Sequence, residues 1–275
     1  MKPHLIVLAV LAAIALVVFL TFLMLKRPKT ACIYAYYEKD AVYKENLRFF
    51  LEKGLDVPNM DYYLVINGKC TLSIPPNVTV LNRENNGYDF GAWCHAIARY
   101  PMEKYDYVFF VNTSVRGPYS RDKNWTKAFI KRFKGDTKLV GTSINIGHPV
   151  VAQGTPLEGT APVYPHVQSM FFCLNREGLA FLREQGFFDA ASLEGKGFRE
   201  VITEKEIGMS LMILNHGWNI DSVLSKYQGL DYRRVKSDIN HTSVSGDPYF
   251  NGAYFGGTIS PEEAVFFKIA RFAYS

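Results

Sequence analysis

Asn85-Asn86-Gly87-Tyr88-Asp89-Phe90-Gly91-Ala92-Trp93 is followed, further along the chain, by the apolar run Tyr107-Val108-Phe109-Phe110-Val111, which ends in Asn112-Thr113-Ser114. A Gly-punctuated polar loop that opens a helix, then a buried strand ending in polar side chains, is how an open α/β sheet builds a diphosphate crevice at the carboxyl ends of its strands. Gly87 and Gly91 let backbone approach a ligand with no Cβ in the way, and the helix N-terminus beyond them offers unpaired N–H groups. Asp89 is placed to accept a ribose or sugar hydroxyl, with Asn85 and Asn86 beside it. The same residues also read as an ordinary Asn-Gly turn with an N-capping Asp, so the loop takes its meaning from the strand that follows it.

Working outward, Ala31 to Tyr37 is a β-rich run, with Tyr36 at its end facing the same crevice, and Tyr43, Leu47, Phe50, Leu51 and Leu55 recur at helical spacing before Pro58. Residues 62–66 and 78–81 predict two further strands, and 90–98 a helix launched from Gly87. Continuous apolar runs, unlike alternating ones, belong to strands covered on both faces, so the pattern predicts an α/β fold, a Rossmann-type, mainly parallel sheet flanked by helices. Beyond Gly141 a Gly/Pro-rich stretch, 147–165, predicts a loop over the site. Residues 170–174 then read as a short buried strand, 176–185 and 203–216 as helices, and Ser260-Pro261-Glu262-Glu263 as the capping box of a last helix.

Transfer of a sugar from a nucleotide diphosphate needs groups that hold the diphosphate, orient the sugar and take a proton from the acceptor hydroxyl. Asn112 and Ser114 stand at the strand terminus where an Asp-x-Asp metal clamp is common. Amide and hydroxyl groups are poor sole ligands for Mg²⁺ or Mn²⁺, which prefer carboxylates, so a divalent cofactor is disfavoured here; His241 is the one late candidate for a metal or phosphate contact. Glu204 and Glu206, at the start of the 203–216 helix, are candidates for the catalytic base, with Glu206 preferred because Ile207 beside it is an inward position. A carboxylate in a first helical turn also simply complements the helix dipole. His166, Gln168 and Ser169, just before the Met170 strand, are placed to touch acceptor or donor sugar.

Together with Val111-Asn112-Thr113-Ser114-Val115-Arg116-Gly117-Pro118, His166-Val167-Gln168-Ser169-Met170-Phe171-Phe172, residues 204–210 and Ser260-Pro261-Glu262-Glu263-Ala264-Val265-Phe266-Phe267-Lys268, the Asn85 stretch resembles the rhamnan synthesis protein F family of glycosyltransferases. The motifs fall in the same order and cover nearly everything after residue 30. The resemblance implies a GT-A-like fold, a nucleotide-diphosphate sugar donor, a glycan acceptor, and transfer of a hexose or deoxyhexose, rhamnose among them, with inversion at C1. That family often reads Asn-Asp-Ser where this chain has Thr113, which puts metal use in doubt and keeps open a second reading, a catalytically silent glycan-binding or scaffold protein.

The remaining features bound the setting. No charged residue lies between Leu5 and Leu25, a run long enough at about 1.5 Å per residue to cross a hydrocarbon core. The organisation expected is therefore a short tail (1–4), one N-terminal transmembrane helix (5–25), a basic stalk (26–30) and one domain (31–275); a signal peptide is the rival reading, with a shorter apolar region as a rule. Lys26, Arg27 and Lys29 favour a cytoplasmic domain by the positive-inside rule. Sequons beginning at Asn77, Asn112, Asn124 and Asn240 favour instead a type II protein with a lumenal domain in the secretory pathway. The net charge of +5 is modest, and the cluster Lys123 to Lys138 reads as the solvated face of a helix whose inner face is Trp125, Phe129 and Phe133, so nucleic acid is not an expected partner. The four cysteines lack metal-ligand spacing and read as buried thiols, with one disulfide left open.

Overall fold

The computed structural model describes residues 10–14, 16, 28–147 and 163–269. In chain order the strands are β1 (Thr30–Tyr36), β2 (Met60–Asn67), β3 (Val78–Arg83), β4 (Tyr107–Asn112), β5 (Val115–Arg116), β6 (Thr137–Gly141), β7 (Ile144–Asn145), β8 (His166–Val167), β9 (Phe171–Asn175), β10 (Asn219–Ser222) and β11 (Phe267–Lys268). The helices are α1 (Ala41–Lys53), α2 (Tyr88–Arg99), α3 (Lys127–Ile130), α4 (Arg176–Glu184), α5 (Phe198–Val201), α6 (Gly208–Asn215) and α7 (Pro261–Ala264), with a π turn, Ile202–Ile207, joining α5 to α6.

The main sheet runs β10-β6-β9-β4-β1-β2-β3. Strand β1 pairs in parallel with β2 and β4, and β2 with β3, so β3-β2-β1-β4 is the arrangement of a mononucleotide-binding half. Strand β9 is antiparallel to both β4 and β6. The expected sheet is mainly parallel, and β9 departs from that expectation, because a continuous apolar run signals burial on both faces but not strand direction. Strand β1 is buried along its whole length, whereas β3, at the sheet edge, is buried only at Val78 and is exposed or half-buried from Thr79 to Arg83.

Successive side chains of β4 point to opposite faces, which gives the two layers covering the sheet. On one side Phe109, Trp125, Phe129, Phe171 and Phe266 pack together, with Phe171 and Phe266 stacked at 4.0 Å. On the other, Phe110 stacks on Phe172 at 4.5 Å beneath Trp93 of α2. These rings fix α2 against β4, and so fix the loop that opens α2 against the strand terminus.

Several expectations need correction. The helix expected at 203–216 begins at Phe198 and widens into the π turn. The basic cluster is not one helix: α3 has four residues, and Lys138 lies on β6, paired with Glu177. Ser260 caps α7, its Oγ accepting from Glu263 N at 3.2 Å, but the helix stops at Val265, whose φ of +64° turns the chain into β11. Glu263 does not close a capping box; its carboxylate accepts from Ser225 and Tyr254. All four cysteines are free. Asn112 and Asn240 are buried, and Asn240 Nδ2 donates to Ala253 O at 2.7 Å, so neither offers its amide for glycosylation; Asn77 is exposed. The expected membrane span, 5–25, lies mostly outside the described residues, and among those residues no helix is long and apolar enough to cross a membrane. Most of the expected loop over the site, 148–162, also lies outside them.

Candidate functional site

The site lies at the carboxyl ends of β1 and β4, where the strand order reverses and a crevice opens between neighbouring connections. Thr113 locks this junction. Its Oγ1 donates to Ala35 O (2.9 Å) and accepts from Tyr37 N (3.1 Å), and its carbonyl accepts from Asn46 Nδ2 (2.9 Å). The hydroxyl is thus used inside the sheet edge rather than presented to a ligand.

Asn112 and Ser114 flank it. Asn112 Oδ1 accepts from Ser114 N (2.9 Å) and Ser114 Oγ (2.6 Å), while Asn112 Nδ2 donates to Asp89 Oδ2 at 2.8 Å. That last bond joins the strand terminus directly to the first turn of α2. The loop reaches this position through two successive left-handed residues, Gly87 at φ +71° and Tyr88 at φ +54°. Arg83 braces it, Nη1 donating to Asn67 Oδ1 (2.7 Å) and Nη2 to Asn86 O (2.6 Å). Asn85 and Asn86 are exposed on the loop. A Cβ at Gly91 would fall 2.1 Å from Asn86 O, a backbone atom that cannot swing aside. Gly91→Ala is therefore expected to destabilise the fold by about 1–3 kcal/mol in a denaturant melt, despite the better helix propensity of Ala.

Opposite the loop stands Glu206. The π turn carries it to Ser169, whose N–H donates to Glu206 Oε2 at 2.7 Å and whose Oγ donates to the same oxygen. Glu206 Oε1 is left facing His166 Nε2 at 3.9 Å, and His166 Nδ1 is bonded to Tyr164 O at 2.7 Å. Single wide turns of this kind recur at functional sites because they re-aim a side chain within a helix.

Lys268, on β11, completes the set. Antiparallel pairing of β11 with β5 sets Lys268 opposite Val115, just past Asn112-Thr113-Ser114. Burial pushes the Asp89 carboxyl up to about 6, against the Asn112 hydrogen bond and the Lys268 charge that lower it, and the Glu206 charge adds to the rise. Burial likewise lowers Lys268 from the usual lysine range, opposed by Glu206 and Asp89. Sequence reasoning placed Lys268 only within a motif; its one signal was a lysine closing the apolar run Ala264–Phe267.

Other candidates fall elsewhere. Glu204 is 49% exposed and paired with Lys196, so it turns away from Glu206, whose side chain is 21% exposed. Gln168 is spent in the interior, Nε2 donating to Asp247 (3.1 Å) and Oε1 accepting from Ser143 (2.5 Å). Tyr36 has a buried ring, and its hydroxyl donates to Glu38 at 2.9 Å. His241 is exposed, and among the described residues no group of three or more His, Cys, Asp or Glu side chains is placed to hold a metal ion. The donor set at the β4 terminus is neutral and already bonded internally, with an ammonium group nearby, and it does not fit a tightly held Mg²⁺ or Mn²⁺.

A cleft of ≈ 140 Å³ lies against Arg83, Gly87, Gly91 and Leu193, beside the loop. A roomier one of ≈ 720 Å³ lies at the far end of α2, where Glu103 and Arg183 pair with each other. The larger cleft carries charged groups too, Glu103, Arg183, Glu184 and Asp189, but it lies away from the carboxyl ends of β1 and β4, and the site is assigned by its place at that sheet edge.

The chain matches no family model. No curated protein matches it either. Similar solved structures include a mannosyltransferase from Pyrobaculum calidifontis in complex with GDP-Man and Mn²⁺, at 14% identity and a TM-score of 0.43, covering 72% of this chain and 55% of that one. TarS 1–349 of S. aureus is similar at 16% identity and a TM-score of 0.38, covering 68% and 56%. Glucosyl-3-phosphoglycerate synthase from Mycobacterium tuberculosis, in complex with phosphoglyceric acid, is similar at 14% identity and a TM-score of 0.35, covering 56% and 59%. The chain spans little more than half the length of each.

Proposed function

We propose that this chain is a nucleotide-sugar-dependent glycosyltransferase of GT-A-like fold, moving a hexose or deoxyhexose onto a glycan acceptor. The observation that carries the reading is the 2.8 Å bond from Asn112 Nδ2 to Asp89 Oδ2, which brings the Gly87 loop and the β4 terminus into one crevice at the point where the sheet order reverses.

In this reading the diphosphate lies against the Gly87 loop and the N-terminus of α2, whose free N–H groups and dipole favour an anion. Asp89 Oδ1, which has no hydrogen-bond partner among the described residues, accepts a hydroxyl of the donor. Glu206 is the base: Ser169 fixes one carboxylate oxygen, leaving Oε1 to take the acceptor's proton. The acceptor oxygen then bonds to C1 as the bond from C1 to the diphosphate breaks, its electron pair leaving with the phosphate oxygen. Direct displacement of this kind inverts C1. The sequence motifs shared with the rhamnan synthesis F family support a rhamnosyl donor among the candidates, and the apolar run 5–25 supports a membrane tether with the domain on the lumenal side, where the exposed Asn77 would carry a glycan.

The test is a panel of UDP-, GDP- and dTDP-sugars offered to the full-length protein with and without Mn²⁺. Release of nucleoside diphosphate from one donor class is the expected result. Thermal stabilisation by a glycan but by no nucleotide, with no release, would replace this reading by the glycan-binding or scaffold one that the neutral Asn112-Thr113-Ser114 terminus suggests.

A further inference from the structure

We infer that Lys268 holds the donor's diphosphate and stabilises the charge that grows on it as the sugar leaves, in the role that a divalent cation fills where strand termini carry carboxylates. The inference rests on the transferase reading above.

Five described lysines are buried or half-buried: Lys44, Lys138, Lys196, Lys205 and Lys268. The ammonium group of Lys44, on α1, makes no hydrogen bond or ion pair among the described residues, and Lys196 pairs with Glu204. Lys138 pairs with Glu177, and Lys205 donates to Phe187 O and Ser192 Oγ (2.5 Å to the latter). Lys268, half-buried, makes neither a hydrogen bond nor an ion pair within 4 Å among the described residues. An ammonium group withdrawn from water without a direct partner costs stability, and such groups persist where a ligand completes them.

Its position is fixed closely. Tyr119 N donates to Val265 O at 2.7 Å, and Gly117 lies so near the same turn that a Cβ there would be 2.5 Å from Val265 O. Strand β11 is thereby held on β5, with Lys268 opposite Val115, three residues beyond Asn112 on the chain that leaves the β4 terminus. The carboxylates of Asp89 and Glu206 act on its charge from beyond ion-pair distance, so they hold the ammonium group in the crevice without occupying its donors. Lysine suits the task as a compact point charge with three donors. When the bond from C1 breaks, its electron pair passes to the β-phosphate oxygen and the ammonium group offsets that charge without surrendering a proton, while the acceptor's proton goes to Glu206.

The experiment measures binding of UDP, GDP and dTDP, and of the matching nucleosides, to the full-length protein in EDTA and in Mn²⁺, for wild type, Lys268→Met and Lys268→Arg. The expected result is that one diphosphate binds wild type equally in EDTA and Mn²⁺. Lys268→Met then weakens that diphosphate by about 10- to 100-fold and leaves the nucleoside unchanged, with Lys268→Arg recovering most of the loss. Equal binding by Lys268→Met and wild type overturns the inference, as does an equal loss for nucleoside and diphosphate, which marks a structural role. Wild-type binding that needs Mn²⁺ overturns it and leaves the transferase reading standing; this arm requires no variant to fold. Absence of any nucleotide binding in either condition overturns both.

Discussion

Glu206→Gln is expected to lower sugar transfer by about 10²- to 10⁴-fold, the usual contribution of a positioned general base, while nucleoside diphosphate binding and the thermal midpoint stay near wild type. Gln keeps the shape of Glu and an oxygen that accepts from Ser169 N and Oγ, so the bracing at the π turn survives. It loses the capacity to take a proton. The measurement is initial rate against donor concentration: a fall in kcat with little change in KM assigns Glu206 to the chemical step. A variant with near wild-type kcat would remove Glu206 from the reaction and leave it as the support that orients Ser169 and His166.

Asp89→Asn, unlike Glu206→Gln, is expected to change stability, raising it by an amount on the order of 2–3 kcal/mol at pH 7 while reducing transfer. The sign follows from the direction of the shift. Burial raises the Asp89 carboxyl from 3.8 to about 6, so the folded state holds this proton more tightly than the unfolded chain does. Its contribution to stability is greatest below pH 3.8, declines as the pH rises, and is lost above about 6, where an ionised carboxylate is kept in a poorly solvated wall. An amide removes that cost and still pairs with Asn112, one amide donating to the other's oxygen. Urea melts of both proteins between pH 3.5 and pH 8 should show curves that meet at the acid end and separate by neutrality. Curves that stay parallel across that range would mean that Asp89 is as well solvated folded as unfolded. If Asp89 binds the donor as proposed, transfer by the wild-type protein should also fall as pH drops through about 6, because protonated Asp89 no longer accepts a donor hydroxyl with a full charge.

Much of the sheet was legible because β1, β2 and β4 are continuous apolar runs with polar ends, and Asn112 and Asp89 stood out as polar residues at those ends. The antiparallel direction of β9 was not legible, since burial on both faces looks the same either way. Glu204 and Glu206 illustrate a finer limit. Two positions apart on a helix differ by about 200° in direction, so only one was ever going to face the crevice. Preference for Glu206 came from its inward neighbour Ile207, but the wide turn that brings Glu206 to Ser169 shifts the helical phase, and no periodicity in the sequence marks it. Gln168 was misread because a polar residue next to a predicted strand looks available; its partners Ser143 and Asp247 come from distant segments. Lys268 was hidden for a related reason. Its significance depends on β11 lying against β5, a pairing that the local sequence, which reads as a continuing helix, does not disclose.

The pairing of Phe267 with Arg116 also orders events in time. Closing so large an intervening loop is entropically slow, and Phe266 can complete its aromatic layer only once the sheet that carries Phe109 and Phe171 offers a surface to dock on. The β3-β2-β1-β4 half can thus acquire its backbone shape first, and if Lys268 holds a diphosphate as inferred above, it lacks that group until β11 docks. During refolding, ligand affinity should lag behind the recovery of secondary structure, as two separable phases.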